Sequence, residues 1–170
     1  MSEPGRTVVV RPARADELSA VADLTVRAYT ADGHLAPGDP YEPMLRDTVA
    51  RAREAELYVA VLDDRLPSLA GTVTFCPAGS AWREVAYPDE GELRMLAVDP
   101  RVRRRGLAAA LVGVCLERSR ELGCAALVLS SLPTQTAAHA LYAGLGFRRC
   151  GERDWSVRDG VDLLTYRLEL

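Results

Sequence analysis

The chain of 170 residues contains no lysine, and all 21 of its basic residues are arginines. That absence excludes a phosphate-binding loop closed by a lysine, and any chemistry through a lysine Schiff base. No apolar run approaches the ~20 residues that span a bilayer. Residues 1–6 offer no apolar stretch for a secretory leader, so a cytoplasmic location with no membrane partner is expected. Cysteine is scarce: Cys76, Cys115, Cys124 and Cys150 make no pair at the short spacing of a zinc site. No metal is therefore expected, and buried free thiols in a reducing compartment are. There is no Gly-x-Gly-x-x-Gly, which excludes a Rossmann dehydrogenase, and no Gly-x-Ser-x-Gly, which disfavours a serine hydrolase. An excess of positive charge is missing too. The formal net charge is -3, which argues against a nucleic-acid partner despite Arg101, Arg103, Arg104 and Arg105.

What is present suits one domain over residues 1–170, with no repeat, linker or low-complexity tract. Residues 7–11 are β-branched and read as a strand that Pro12 stops. Asp16 and Glu17 place acidic charge in the first turn of a helix, and Leu18, Val21, Ala22, Thr25 and Tyr29 follow as its buried stripe. Residues 31–43 hold two glycines and three prolines, Pro37, Pro40 and Pro43, and read as a loop. A second helix is expected over 44–54. Strands at 57–62 and 69–75 are joined by a hairpin turn around 63–68. A polar loop over 77–90 leads to a strand over 92–98 that Pro100 ends. A helix follows over 106–122, then a buried strand over 125–131. Thr134 caps a helix running to Leu145, with Gly146 suited to the position after its end. Strands at 147–149 and 161–168 complete the chain. The order β-α-α-β-β-β-α-β-α-β-β predicts an α/β (α+β) fold, a mixed sheet with helices packed on it.

The most informative segment runs Leu93-Arg94-Met95-Leu96-Ala97-Val98-Asp99-Pro100 and then Arg101-Val102-Arg103-Arg104-Arg105-Gly106-Leu107-Ala108. A strand enters an arginine-rich turn, and the turn opens a long helix. The first amides of a helix lack partners and carry partial positive charge, so they receive phosphate oxygens. Gly106 and Ala108 are small enough to let a phosphate approach the backbone. The nearby arginines add charge-assisted hydrogen bonds. Taken alone, the charge run also suits a solvated basic face. The order strand, proline, Arg-x-x-Gly-x-Ala, apolar helix favours a pyrophosphate site.

Arg103 to Ala108 resembles the [Gln/Arg]-x-x-Gly-x-[Gly/Ala] signature of the GNAT acetyltransferases, with alanine at Ala108 where glycine is commoner. The stretch Gln135-Thr-Ala-Ala-His-Ala-Leu-Tyr142-Ala-Gly-Leu-Gly-Phe147 is similar to that family's Asn-x-x-Ala-x-x-Leu-Tyr-x-x-x-Gly-Phe, with Gln135 where asparagine is frequent. The resemblance spans residues 7–168, and its specific motifs lie between Glu92 and Phe147. It implies a mostly antiparallel mixed sheet with helices on both faces. It also implies an N-acetyltransferase that uses acetyl-coenzyme A as its acyl donor. Carried over residue by residue, Leu96, Ala97 and Val98 supply the backbone edge for the pantetheine arm. Arg103, Arg104, Arg105, Gly106, Leu107, Ala108 and Ala109 hold the phosphates, and Gln135 lies near the pantetheine. Family members are often dimers, and the C-terminal strand is a plausible contact between copies.

Gln135 and Tyr142 are seven residues apart and share a helix face, so one ligand can touch both. A phenol near the thioester sulfur donates a proton to the leaving thiolate, and the resemblance gives Tyr142 that role. Its spacing equally fits a core tyrosine beside Ala138, Leu141 and Leu145. An ammonium cannot attack, so a carboxylate, often through water, must accept a proton from it at some stage. Glu92 is the first choice and Glu90 the second, although an arginine-paired surface carboxylate fits Glu92 as well. Alternation places Glu92 on one sheet face with Arg94 and Leu96. Ser130 stands where ribosomal N-terminal acetyltransferases carry a glutamate, which speaks against a ribosomal-protein substrate. His139 is read as a solvated helix histidine, and His34 either borders the acceptor or is simply exposed. Asp32, Asp39, Tyr41, Glu42, Trp82, Glu84, Tyr87, Asp89 and Glu90 form the expected acceptor wall, suited to a cationic amine, whether of a small molecule, a peptide N-terminus or a protein lysine. The alternative function is a coenzyme A-binding sensor or assembly module without catalysis, which would keep residues 103–109 and not need Tyr142.

Overall fold

The structure is a computed structural model that describes residues 7–62 and 68–170. The expected turn at 63–68, apart from Ser68, and the start at 1–6, where no leader is expected, lie outside the described residues. In chain order the strands and helices are β1 (Val8–Pro12), α1 (Leu18–Ala31), α2 (Glu42–Arg46), α3 (Thr48–Glu54), β2 (Glu56–Leu62), β3 (Ser68–Cys76) and β4 (Glu90–Val98). They continue as α4 (Leu107–Glu121), β5 (Ala126–Ser131), α5 (Thr136–Gly144), β6 (Arg148–Arg149), β7 (Trp155–Arg158) and β8 (Val161–Glu169). Among the described residues, no helix is long and apolar enough to cross a membrane.

The strands line up as β1-β2-β3-β4-β5-β8-β6, with β7 added against β8. Every pairing is antiparallel except that of β4 with β5. Both faces of the sheet are covered, and strand alternation shows how. Along β2, Leu57, Val59 and Val61 pack with Val21 of α1, while Ala60 and Leu62 join Leu107, Leu111 and Cys115 of α4 in the main core. Tyr142 of α5 belongs to that main core. Helices α1 to α3 therefore cover one face, and α4 and α5 the other. The approach of α4 depends on missing side chains in the sheet. A Cβ at Gly71 would lie 2.9 Å from Leu111 Cδ1, and one at Gly91 would lie 2.7 Å from Phe75 and 2.8 Å from Ser119 Oγ.

The structure corrects four local expectations. The helix expected over 44–54 is two helices, because Asp47 leaves helical geometry at ψ 60° and its side chain accepts the Ala50 amide to start α3. Thr134 does not cap α5; Gln135 holds that position, and no side chain caps the helix. The strand β7 was not anticipated. Pro12 is the last residue of β1 rather than a stop before it.

Two irregularities in β4 shape the site. The β3–β4 register shifts between Thr72, opposite Ala97, and Thr74, opposite Arg94, so β4 carries an extra residue there. Met95 adopts φ 54° at this bulge. The bulge breaks the expected alternation. Glu92 and Arg94 face the α1 side, and Met95 joins Leu35 and Leu45 there, but Leu96 packs into the core under α4. Leu96 therefore does not share a face with Glu92. The second irregularity is that the parallel ladder of β4 with β5 stops at Leu93 opposite Leu129. Beyond that point the two strands part, and the β4 edge over 94–98 faces no partner strand on that side.

Candidate active site

Where β4 and β5 part, two cavities open beside each other. The larger, about 540 Å³, is a cleft lined by Leu96, Ala97 and Val98 of β4, by Arg103, Arg104, Gly106, Leu107, Ala108 and Ala109, and by residues 134–138 at the start of α5. It brings together every residue expected to hold the cofactor except Arg105, which is exposed. Two helices start at this cleft. Gly106, at φ 74°, is the N-cap of α4, and neither α4 nor α5 has a side-chain cap. The first amides of α4 are free for an anion, as are those of Ala137 and Ala138 in α5, where the Thr136 amide is taken by the Thr134 carbonyl at 2.9 Å; the dipoles of both helices favour an anion. The start of α5 as a second wall was missed in the sequence, where only Gln135 was singled out. Arg103 reaches across to Asp32 at the end of α1, with contacts of 2.6 and 2.8 Å. Arg104 sits at φ 65°, a left-handed conformation that costs a non-glycine residue about 1–2 kcal/mol.

The smaller cavity, about 220 Å³, is lined on one side by Asp39, Tyr41, Glu84, Glu92, Arg94 and Met95, and on the other by Ser130, Leu132, Val157, Arg158, Val161 and Leu163. Tyr29, His34 and Gln135 line both cavities and so form their common wall. Of the expected acceptor wall, Asp39, Tyr41 and Glu84 are in place. Asp32 belongs to the cofactor cleft, Glu42 pairs with Arg46, and Trp82 packs with Leu35, Leu45 and Met95. Tyr87 lies exposed under the Arg153 guanidinium. The β7–β8 face was unforeseen.

Glu92 is 1% exposed. Its Oε2 accepts the backbone amides of Glu84, Val85 and Ala86 at 2.8, 3.0 and 3.1 Å. Its Oε1 makes no hydrogen bond among the described residues and is not one of the fully buried orphaned atoms. Of the three carboxylates in this cavity, Glu84 pairs with Arg94 at 2.7 Å and Asp39 with Arg158 at 3.2 Å. Among the described residues, Glu92 alone of the three has no arginine partner. Burial pushes the Glu84 carboxyl above its ordinary pKa, with Arg94 opposing and Glu92 adding to the rise.

Glu90, the second choice as base, is engaged elsewhere. It is 2% exposed and bound by Arg153 at 3.0 and 2.8 Å, by Arg167 at 2.8 Å and by the Tyr87 amide. Burial pushes its pKa up, but the Arg153, Tyr87 and Arg167 hydrogen bonds outweigh it and hold the carboxyl at about 2. A carboxylate held so low is a poor proton acceptor.

Tyr142 lines neither cavity. Its ring packs between Phe147 and Tyr166, with centroids 5.6 and 5.9 Å away, and burial pushes its phenol pKa up. The hydroxyl makes no hydrogen bond among the described residues, yet it is not a fully buried orphan, so it keeps an open face. Ser130 Oγ accepts the Trp155 indole N–H at 3.0 Å on the cavity wall. His139 is half-buried rather than solvated: it stacks on Tyr166 at 5.2 Å, and burial lowers its pKa. All four cysteine thiols are pushed up by burial, Cys76 to about 12, and none lines either cavity.

The site thus combines a parted parallel pair in a mixed sheet, two helix starts without side-chain caps on one cleft, and a smaller carboxylate-bearing cavity beyond it. The family model described as "Acetyltransferase (GNAT) family" matches residues 18–147, and the chain belongs to that family. Among curated proteins it is similar to N-acetylaspartate synthetase of Homo sapiens, at 37% identity over 62% of this chain and 32% of that protein. It is also similar to human N-acetyltransferase 8, at 38% identity over 39% of this chain and 29% of that one. The aligned stretch thus spans about a third of the length of these relatives. The fold matches a Staphylococcus aureus acetyltransferase of the GNAT family with TM-score 0.75 at 12% identity, over 96% of this chain and 99% of that one. A Salmonella typhimurium protein solved with its cofactor acetyl-CoA superposes with TM-score 0.68 at 19% identity, over 96% and 94% of the two chains.

Proposed function

We propose that this chain, as a single domain, is an acetyl-coenzyme A-dependent N-acetyltransferase that passes the acetyl group directly to the amine of a small acceptor or of a peptide terminus. The observation that carries the reading is the meeting of the two cavities at Tyr29, His34 and Gln135. The donor set fits coenzyme A. Residues 106–109 and 137–138 offer unpartnered helix amides for the pyrophosphate, with Arg104 beside them. The unpaired β4 edge at Leu96, Ala97 and Val98 runs toward the second cavity, where a pantetheine arm laid along it would deliver its thioester. The human relative's name, N-acetylaspartate synthetase, is in keeping with a small amine acceptor. So is the size of the cavity: 220 Å³ is roughly seven water volumes at about 30 Å³ each.

In this reading Glu92 attracts the acceptor ammonium with its free Oε1 and takes the proton that must leave before attack. Tyr142, kept protonated by burial, donates to the departing thiolate. The cysteines favour direct transfer, since raised thiol pKa values and their distance from both cavities disfavour an acetyl-cysteine intermediate. The alternative, a coenzyme A-binding module without catalysis, leaves the second cavity and the free oxygen of Glu92 without a use.

The test is an acceptor panel of amines, amino acids and short peptides with acetyl-coenzyme A, read by release of free thiol. Amine-dependent thiol release is expected. Calorimetric binding of coenzyme A with no turnover on any amine would leave the binding module standing, and absence of binding would remove both readings.

A further inference from the structure

Gln135 lies in the common wall of the two cavities, and its amide has one end held and one end free. Oε1 accepts the Leu132 backbone amide at 2.8 Å and the Ser131 hydroxyl at 2.8 Å. A backbone N–H only donates, so the atom facing Leu132 is the carbonyl oxygen and the NH₂ points the other way. That NH₂ has no hydrogen-bond partner among the described residues and is not a fully buried orphan. It therefore opens toward the cavities that this side chain lines. The hold has a second layer, because Ser131 is 3% exposed and its Oγ lies 3.0 Å from His139 Nε2. Of the other two shared residues, His34 has Nδ1 3.3 Å from Thr134 Oγ1, and the Tyr29 hydroxyl makes no hydrogen bond among the described residues; Gln135 differs from Tyr29 in that its donor end is fixed by two bonds to its other end.

We propose that Gln135 is a catalytic residue whose Nε2 donates a hydrogen bond to the acetyl carbonyl oxygen as that oxygen becomes an oxyanion. The proposal rests on the acetyltransferase reading above. In the step, the amine lone pair forms the C–N bond while the carbonyl π pair moves onto oxygen. When the carbonyl re-forms, the C–S bond breaks and its pair leaves on sulfur. The nitrogen gives up one proton and the sulfur gains one. Gln135 exchanges no proton; it stabilises the charge between the two events. A donor fixed before the reaction needs no reorientation when charge develops, which is why such donors act on the rate of the chemical step. The same NH₂ gripping only the pantetheine arm would instead act on binding, and the two uses separate experimentally.

Gln135→Ala, Gln135→Glu and Ser131→Ala are compared with the wild type by kcat, by KM, and by calorimetric affinity for coenzyme A without acceptor. Thermal melting confirms that each is folded. Gln135→Ala should lower kcat roughly 100- to 1,000-fold and leave the coenzyme A Kd within about threefold, under 1 kcal/mol. Gln135→Glu keeps an oxygen for Leu132 and Ser131 but turns a negative oxygen toward the site, so its kcat should be the lowest of the set. Ser131→Ala loosens the hold without removing the donor, and kcat should fall by roughly three- to tenfold, below the loss of a donor. Because Gln135→Glu and Ser131→Ala probe the same donor, failure of Gln135→Ala to fold leaves the comparison intact. Tenfold weaker coenzyme A binding with unchanged kcat would overturn the proposal, as would wild-type kcat in Gln135→Glu. A wild type that binds acetyl-coenzyme A but turns over no amine overturns the acetyltransferase reading and this inference together. An active wild type with indifferent variants overturns this inference alone.

Discussion

Glu92 has one oxygen that holds a loop and one that is free for the proposed base role, and substitutions divide them. Oε2 holds the amides of Glu84, Val85 and Ala86, and so fixes the loop that brings Glu84 to the cavity. Glu92→Gln retains a carbonyl oxygen for those amides but loses the charge and the basicity. It should melt within a few degrees of the wild type while activity falls at least about tenfold, the low end of general-base effects. Glu92→Ala strands three amides and should cost about 2 kcal/mol or more in urea unfolding. Equal activity in Glu92→Gln and the wild type would reduce Glu92 to a loop anchor. Tyr142 gives a cleaner substitution, because its hydroxyl has no hydrogen-bond partner to strand among the described residues. Tyr142→Phe should leave stability within about 0.5 kcal/mol and lower kcat roughly 10- to 1,000-fold. Turnover at the wild-type rate, with chemistry limiting, would place Tyr142 in the core only.

At the scale of elements, the turn between β4 and α4, the proposed phosphate site, holds left-handed backbone. Arg104 and Gly106 both adopt left-handed backbone, at φ 65° and 74°. Glycine adopts that conformation freely and arginine does not. Arg104→Gly should therefore stabilise the unliganded protein by about 0.5–1 kcal/mol in urea unfolding. It should weaken coenzyme A about tenfold, or 1.4 kcal/mol, by removing a cation from the cleft. A variant that is both less stable and equally tight would contradict this account of the turn. The turn was legible in the sequence because its parts are contiguous: β4, Pro100, the arginines, Gly106 and the apolar stripe of α4. The mixed sheet with helices packed on it followed from element order in the same way, and the placing of helices on both faces from the family resemblance. What was not legible depends on departures from regular period. The bulge at Met95 has no local signal, since methionine is an unlikely residue at φ 54°, and it moved Leu96 to the other face. The parting of β4 from β5 is tertiary and invisible in a linear chain. The β7–β8 hairpin did have a signal, Asp159-Gly160 with Gly160 at φ 78°, between Trp155–Arg158 and Val161–Glu169. Reading it would have placed Val157, Arg158, Val161 and Leu163 beside the acceptor.

For the whole molecule, Glu90 acts as a central tie. It begins β4, and its two arginine partners come from the 3₁₀ turn at Gly151–Arg153 and from β8. The tie therefore fastens the C-terminal hairpin, which supplies one wall of the smaller cavity, to the strand that supplies the opposite one. Breaking a tie of this kind costs more than it contributes over an apolar replacement, because it leaves the partly buried Arg153 and Arg167 uncompensated. The pH dependence follows from the direction of the shift. The carboxyl ordinarily titrates near 4.5 and is held at about 2 in the folded protein. A depressed pKa means that the unfolded chain binds the proton more readily. The stabilisation is thus fully present above about pH 4.5 and is lost as pH falls toward about 2. Glu17, bound by Arg11 and also held at about 2, adds to the same window at the other end of the sheet. Asp99, gripped by Arg101 and Arg27, is depressed as well. Stability measured by urea unfolding should be flat from pH 7 to about 5 and fall steeply between pH 4.5 and 2. Glu90→Gln should be less stable at pH 7 and show a shallower acid slope, because one of the groups that takes up a proton on unfolding is gone. The amine acceptor should also bind less well to this variant at neutral pH, since the wall at Val157 to Leu163 loses its anchor, while coenzyme A affinity stays within about threefold. An acid slope identical to that of the wild type would show that Glu90 is not the tie.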